Sequence, residues 1–195
     1  YGAGGFGKTS VALRLREELQ KKDEVVVGYV SFRNVTSEWD LIKRYVEAMF
    51  SAIGIPDYRW GFINESNYED QFEDNYYQRP TDYAKRLGKR LIAIVDDFEA
   101  VYSLPHAEII EAKIRSVWQP EGPDRLHIRT IVLQDLTYET LTLKARRRPL
   151  AEVGSKLFFD RIPPELWIEY IQKNFAIAGK FINESSILFL INKLN

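Results

Sequence analysis

The sequence predicts an α/β fold with a mainly parallel sheet and helices packed on it as outer layers. Short apolar runs rich in β-branched residues alternate along the chain with longer segments of helical period. A glycine-rich stretch stands at the start, and two aspartates follow a later apolar run. The 195 residues, of which 45% are hydrophobic, suffice for one full core. Ligands of such folds bind at the carboxyl ends of the strands.

The first half of the chain is predicted to contain two helices and one strand. The residues after Thr9 predict a helix whose apolar face carries Val11, Ala12, Leu15 and Leu19. The run EVVVGYVSF at 24–32 predicts a buried strand. A second helix is expected to start at Ser37 and to end at Gly54. Its predicted core positions are Leu41, Ile42, Tyr45, Val46, Met49, Phe50 and Ile53.

The segment 57–79 mixes aromatic and acidic residues without a clear period. One interpretation is a segment that docks a partner. The interpretation we favour is a family-specific insertion that folds over the edge of the sheet.

The second half of the chain continues the alternation of helix and strand. The predicted elements are a helix at 80–87, a strand from Arg90 to the two aspartates, a helix at 106–118, a strand at 127–135, a short strand at 156–162, a helix from Pro164 and a final helix from Ser185. Four apolar residues of the 106–118 helix are expected to face inward: Ile109, Ile110, Ile114 and Val117.

The opening stretch matches the phosphate-loop pattern of a glycine, four residues, and then Gly-Lys-Thr. Glycines let successive backbone N–H groups turn toward phosphate oxygens, and the helix that follows adds the positive end of its dipole. The predicted phosphate-binding residues are Gly2, Gly4, Gly5, Phe6, Gly7, Lys8, Thr9 and Ser10. Lys8 would reach the β- and γ-phosphates, and the hydroxyl of Thr9 would bind Mg²⁺. The alternative is a flexible glycine-rich loop without a ligand.

The run Ile92–Val95 ends in Asp96 and Asp97, which supply the second half of the predicted site. A carboxylate at the end of a strand can hold Mg²⁺ opposite a phosphate loop, and we assign this role to Asp96. Its neighbour can orient or deprotonate the attacking water, and we assign this role to Asp97.

The strand that should precede the phosphate loop is not in the sequence, so we expect the chain to be a fragment of a longer protein. Residues 1–162 are predicted to form a P-loop nucleotide-binding domain of three layers that lacks its first strand. Residues 163–195 are predicted to begin a helical lid or winged-helix region.

The chain resembles the prokaryotic and archaeal AAA-type P-loop ATPases that are related to STAND ATPases. The resemblance lies in YGAGGFGKTS, IAIVDDFEA, TIVLQD and the segment from RRRPL to IEYIQKNF. It implies ATP as the nucleotide, Mg²⁺ as the cofactor, hydrolysis coupled to appended domains or a protein partner, and a polar sensor at Gln134. It also implies the strand order of additional-strand ATPases, in which we expect EVVVGYVSF near the strand of the phosphate loop.

The sequence departs from this family in three places. Asp97 stands where the family usually has glutamate, and its shorter reach would slow hydrolysis. Glu99, two residues further on, is a lower-ranked substitute. Gln134 replaces the usual Ser, Thr or Asn of the sensor, and the family's arginine after Pro-Leu is missing from PLAEVG.

Two functions compete with a hydrolysing ATPase: a nucleotide switch or scaffold that does not hydrolyse ATP, and a DNA-associated AAA-type motor. The basic run at 144–148 would serve as an arginine finger in a homo-oligomer, as a nucleic-acid patch or as a solvated loop. A net charge of −1 gives no general attraction to nucleic acid. A guanine-reading Asn-Lys-x-Asp motif is missing, no apolar run would span a membrane, and we expect a cytoplasmic protein.

Overall fold

The structure is a computed structural model that describes residues 1–2, 5, 7–69, 76–118, 127–135, 155, 157–158 and 163–194. It divides into two compact units, Tyr1–Phe158 and Phe159–Asn195. The elements of the first unit are α1 (Lys8–Leu19), β1 (Val25–Ser31), α2 (Glu38–Ile53), α3 (Arg79–Arg86), β2 (Arg90–Asp96), a 3-10 helix (Phe98–Ser103), α4 (Ala107–Trp118) and β3 (Ile128–Val132). Those of the second unit are α5 (Pro164–Ile177) and α6 (Glu184–Leu194).

The three strands form one parallel sheet in the order β1-β2-β3. Tyr29 pairs with Ile94 and Ser31 with Asp96, and Ile94 pairs in turn with Ile131. The carboxyl ends of the three strands therefore meet at one edge of the sheet. The α/β fold with a parallel sheet that the sequence predicts is confirmed.

Each strand sends alternate side chains to opposite faces of the sheet. The large core on one face contains alternate residues of β1 and β2: Val26, Val30, Leu91, Ala93 and Val95. Val27 and Ile94 belong to a smaller core on the other face, together with Ala12 of α1. Helices therefore cover both faces, and the three-layer arrangement is also confirmed.

The large core lies under α2, whose boundaries the sequence predicted well. The Asp40 N–H donates to Ser37 Oγ at 3.1 Å, which caps the helix, and Gly54 ends it. Six of its seven predicted core residues are buried, and Ile53 is partly buried. A Cβ at Gly28 of β1 would collide with the flexible end of the Met49 side chain, so a larger residue here would require that side chain to shift.

The described part of the aromatic segment 57–79 packs against α2. The rings of Tyr58 and Phe50 stack with centroids 4.1 Å apart, and those of Trp60 and Trp39 meet edge to face at 4.8 Å. Trp60 Nε1 also donates to Glu47 at 3.0 Å. The aromatic content of this segment thus extends the large core.

The sequence misjudged the inner faces of α1 and α4 in part. Val11 and Leu15 are exposed, because α1 meets the sheet through the small residue Ala12. Ile110, Ile114 and Val117 are buried as predicted. Ile109 is exposed, because it shares the polar face of α4 with Lys113 and Ser116.

The order of strands corrects one further expectation. The Gly2 N–H donates to the Gln134 carbonyl at 3.3 Å, so the start of the loop lies beside the end of β3. β1 lies on the far side of β2 and does not neighbour this segment, although it is the first strand in the chain. Chain order was a poor guide, because parallel strands joined by helices need not be adjacent.

The second unit contains a pair of contacting helices, α5 and α6, as the sequence predicts for this region. The predicted strand at 156–162 lies almost entirely outside the described residues, and Leu157 and Phe158 are in neither helix nor strand. Of the helices that the structure describes, none has the length and apolar character needed to cross a membrane.

Candidate nucleotide-binding site

The edge where the strands end gathers most of the predicted site residues. α1 begins at Lys8, directly after Gly7, whose φ of 80° is the left-handed conformation that favours glycine. Its first turn carries no acidic residue, so no side chain of the helix itself offsets the positive end of its dipole. Gly2 is buried at the start of the loop, and Gly5 and Ser10 are exposed. The predicted binding residues Gly4 and Phe6 lie outside the described residues.

Lys8 lies on the β3 side of this edge, with its ammonium group enclosed. The Nζ atom donates to the Gly2 carbonyl at 2.6 Å and to Asp135 Oδ1 at 2.6 Å. The side chain of Lys8 is only 7% exposed, whereas that of Asp135 is 51% exposed. A buried ammonium needs an anionic partner, and Asp135 provides it.

Thr9 and Asp96 are brought together as predicted. The Thr9 hydroxyl donates to Asp96 Oδ2 at 2.6 Å, and the phenol of Tyr29 donates to the same oxygen at 2.9 Å. The backbone N–H of Asp97 donates to Asp96 Oδ1 at 2.9 Å. Tyr29 is half-buried, and burial followed by its bond to Asp96 raises the pKa of its phenol. Tyr29 therefore stays a donor to Asp96 at any ordinary pH.

The Thr9–Asp96 pair has the chemistry that suits Mg²⁺. Hydroxyl and carboxylate oxygens are the ligands that this ion prefers, and it usually takes one or two protein carboxylates together with phosphates of the substrate. In the part of the chain that the structure describes, no cluster of three or more acidic, His or Cys side chains provides a different metal site. The residues present thus fit a magnesium ion that arrives with a nucleotide.

Asp97 follows β2 in a left-handed conformation, with φ of 55°. Its Oδ2 accepts a bond from Ser31 Oγ at 2.5 Å, and its Oδ1 accepts one from Arg33 Nη2 at 3.1 Å. Short polar residues tolerate this backbone conformation better than glutamate does, which gives a physical reason for aspartate here. The carboxylate is therefore held toward the end of β1.

Gln134 lies beyond β3, and its side-chain oxygen accepts a bond from the Tyr102 hydroxyl at 3.0 Å. The neighbouring residue, Asp135, is the one that contacts Lys8. The Asp135 N–H donates to Glu99 Oε2 at 3.3 Å, and burial, as the largest cause, raises the pKa of Glu99.

Five of these contact residues were not assigned a role from the sequence: Tyr29, Ser31, Arg33, Tyr102 and Asp135. Two signals were nevertheless present. Tyr29 and Ser31 have the alternate spacing that places them on one face of β1, and the predicted strand at 127–135 itself ends in Asp135. The basic run at 144–148 and the PLAEVG segment lie outside the described residues.

Comparison with known proteins identifies the fold. No protein-family model matches the sequence, and neither does any curated protein. Among solved structures, the chain is similar to the Walker-type ATPase PABY2304 of Pyrococcus abyssi, with a TM-score of 0.67 and 12% identity. This similarity covers 98% of the present chain and 56% of the Pyrococcus abyssi protein.

Two structures of proteins from Aeropyrum pernix are also similar. The ORC1 protein, solved in complex with DNA, gives a TM-score of 0.62 and 19% identity over 94% of this chain and 44% of that one. The ORC2 protein, solved in ADPNP–ADP complexes, gives 0.63 and 18% over 90% of this chain and 44% of that one. At such identities the likeness shows the fold alone, which is an α/β P-loop fold.

Proposed function

We propose that this chain is a Mg²⁺-dependent ATP-binding and ATP-hydrolysing module of the AAA type, with a relation to STAND ATPases. The observation that carries the proposal is the 2.6 Å contact between the Thr9 hydroxyl and Asp96, next to a buried Lys8 at the start of α1. A phosphate-loop hydroxyl, a strand-end carboxylate and an enclosed lysine are the three side chains that such a site requires.

The roles follow from the chemistry of each group. Backbone N–H groups of the loop and of the first turn of α1 would bind phosphate oxygens. We assign this role to Gly2, Gly4, Gly5, Phe6, Gly7 and Ser10. Lys8 would exchange its present partners for the β- and γ-phosphates. Thr9 and Asp96 would hold Mg²⁺, which neutralises charge on the phosphates when bound.

The hydrolytic step depends on Asp97 and Gln134, which we propose as the water-activating residue and the polar sensor. Their side chains are bonded to Ser31 and Arg33 and to Tyr102, respectively. Each would have to turn to reach a water beside the terminal phosphate. We therefore propose that turnover is slow.

These contacts of Asp97 favour a second candidate, a nucleotide switch or scaffold that binds ATP without hydrolysing it. In both cases the bound nucleotide would act on appended domains or on a protein partner in the cytoplasm. The region 163–195, which contains α5 and α6, would serve as the start of a helical lid.

Two measurements on the purified protein test the proposal. Mg-ATP binding should be abolished by Lys8→Ala, and failure of the wild type to bind nucleotide would refute both candidates. Single-turnover and steady-state phosphate release should then be compared among wild type, Asp97→Asn and Asp97→Glu. Turnover that is lost in Asp97→Asn supports the ATPase, whereas binding without cleavage supports the switch.

Thermal melts of both Asp97 variants control for effects of backbone strain at this position on stability. The left-handed conformation at Asp97 suits Asn and strains Glu by about 1 kcal/mol, so only Asp97→Glu should melt earlier for that reason. A loss of turnover in Asp97→Asn at unchanged Tm would therefore reflect chemistry.

A further inference from the structure

We propose that Asp135 sets the preference of the site between nucleoside diphosphates and triphosphates by competing with the terminal phosphate for Lys8. The inference rests on the proposed nucleotide-binding function and adds a specificity-determining residue to it. The observation behind it is the 2.6 Å contact between Lys8 Nζ and Asp135 Oδ1 at the strand ends.

The burial of the pair shows which partner is fixed and which is replaceable. Lys8 is buried in the wall of the site, so its charge needs an anion at all times. Asp135 is half-exposed, so its carboxylate is hydrated when it leaves Lys8. A phosphate oxygen can therefore take the place of Asp135, whereas Lys8 stays where it is.

The backbone keeps Asp135 close even after such an exchange. The Leu133 N–H donates to the Val95 carbonyl at 2.8 Å, and the Gln134 carbonyl accepts from the Gly2 N–H at 3.3 Å. The Asp135 N–H in turn donates to Glu99 at 3.3 Å. Three successive residues are thus bonded to β2, to the start of the loop and to the 3-10 helix. An aspartate side chain is too short to carry its charge far from this position.

The number of phosphates then decides how strongly Asp135 opposes binding. A diphosphate satisfies Lys8 through its β-phosphate alone, whereas a triphosphate brings a further charged group to Lys8. A carboxylate that stays close to that group repels it, because like charges a few ångströms apart repel each other even near the protein surface. Asp135 should therefore weaken the binding of triphosphates more than that of diphosphates.

The test is the ratio of two dissociation constants, measured by titration calorimetry on the full chain with excess Mg²⁺. The ligands are ADP and a non-hydrolysable analogue of ATP. Asp135→Asn should lower the ratio of the analogue's Kd to the ADP Kd by about tenfold. Asp135→Ser, a second neutral variant, should do the same, and Asp135→Glu should keep the wild-type ratio. Asp23→Asn, in an exposed turn between α1 and β1, is the matched control and should change nothing.

The outcomes separate this inference from the function on which it rests. A wild type that binds neither ligand removes the proposed function and the inference with it. Binding that persists in folded neutral variants with an unchanged ratio overturns the inference alone. Equal tightening of both ligands also overturns it, because Asp135 would then act on affinity without discriminating between phosphates.

Discussion

Two ion pairs lie on either side of the Thr9–Asp96 contact, and they divide burial between cation and carboxylate in opposite ways. At the end of β3, the cation Lys8 is 7% exposed and its partner Asp135 is 51% exposed. At the end of β1, the cation Arg33 is 73% exposed and its partner Asp97 is 19% exposed. The more buried member is thus a lysine in one pair and an aspartate in the other.

This difference indicates which contacts a ligand can replace. An enclosed lysine attracts an anion, so the β3 side suits phosphate groups. The partly buried Asp97 on the β1 side already has two partners, the Arg33 cation and the Ser31 hydroxyl, which donates to it at 2.5 Å. Because Arg33 extends into solvent, its attraction for Asp97 is screened by water and salt. We therefore expect the Lys8–Asp135 pair at β3 to affect nucleotide binding. We expect the Arg33–Asp97 pair at β1 to position the Asp97 carboxylate.

The largest effect is expected from breaking the β3 pair at its buried member. Lys8→Met should weaken ATP binding by about a hundredfold or more, because charge-assisted hydrogen bonds to phosphate are lost. The free energy of unfolding of the nucleotide-free protein should stay unchanged or rise by up to about 2 kcal/mol, because a buried charge is removed and Asp135 remains hydrated. Titration calorimetry and urea denaturation measure the two quantities.

The control for this variant is Lys22→Met, which removes an exposed lysine after α1. It should leave both quantities near their wild-type values. Strong destabilisation by Lys8→Met would contradict the comparison, because Lys8 would then be a structural residue.

A smaller effect is expected at the carboxylate between the two pairs. Tyr29→Phe removes the hydroxyl that donates to Asp96 at 2.9 Å and keeps the aromatic ring. It should weaken Mg²⁺ affinity of the nucleotide complex about tenfold, as loss of a partner of a metal ligand commonly does. It should also lower the free energy of unfolding by about 1 kcal/mol. Magnesium titration followed with a fluorescent nucleotide, and urea denaturation, measure these effects.

Tyr83→Phe is the matched control for Tyr29→Phe, because Tyr83 packs on the large core through its ring contact with Phe50. It should leave Mg²⁺ affinity unchanged. If Tyr29→Phe binds Mg²⁺ as tightly as wild type, Asp96 does not need this donor to hold the ion.

A slight effect is expected from breaking the β1 pair at its exposed member. Arg33→Ala should shift Tm by less than about 2 °C, because an exposed ion pair contributes little. The shift should vanish in high salt, which already screens the pair. Ser31→Ala should lower Tm more than Arg33→Ala does, because it removes the shorter hydrogen bond to the Asp97 carboxylate. A larger loss in Arg33→Ala than in Ser31→Ala, measured by calorimetric melts, would contradict this order.

The sequence predicted the parts of this site that depend on local pattern. Two parts of the site can each be recognised within about ten residues: the glycine spacing with Lys8 and Thr9, and the apolar run before Asp96. The same is true of the Ser37 cap of α2 in the fold. The contact between Thr9 and Asp96, 87 positions apart, followed because each belongs to a motif with a known place on a parallel sheet.

The ion pairs could not be predicted in the same way. Contacts such as Lys8–Asp135 and Arg33–Asp97 depend on strand order and register, which a single sequence does not display. The position of β1 illustrates the point, because it was expected near the start of the loop and lies on the far side of β2. The exposure of Val11 and Leu15 likewise depended on where α1 meets the sheet.

The smallest effect is expected at Glu99, which accepts a hydrogen bond from the Asp135 N–H behind the β3 pair. Burial, the largest cause, raises the pKa of Glu99 above its ordinary value of 4.5. The folded state therefore binds more protons than the unfolded state above that value, so stability falls as pH rises through the window between the two pKa values.

Glu99→Gln keeps an acceptor oxygen and removes this dependence. Relative to wild type, its Tm should be equal near about pH 4 and higher by no more than about 1 °C near about pH 7. Glu108→Gln, at an exposed position of α4, should show no such trend. A lower Tm of Glu99→Gln at neutral pH would show that the charge of Glu99 is needed to hold Asp135 against Lys8.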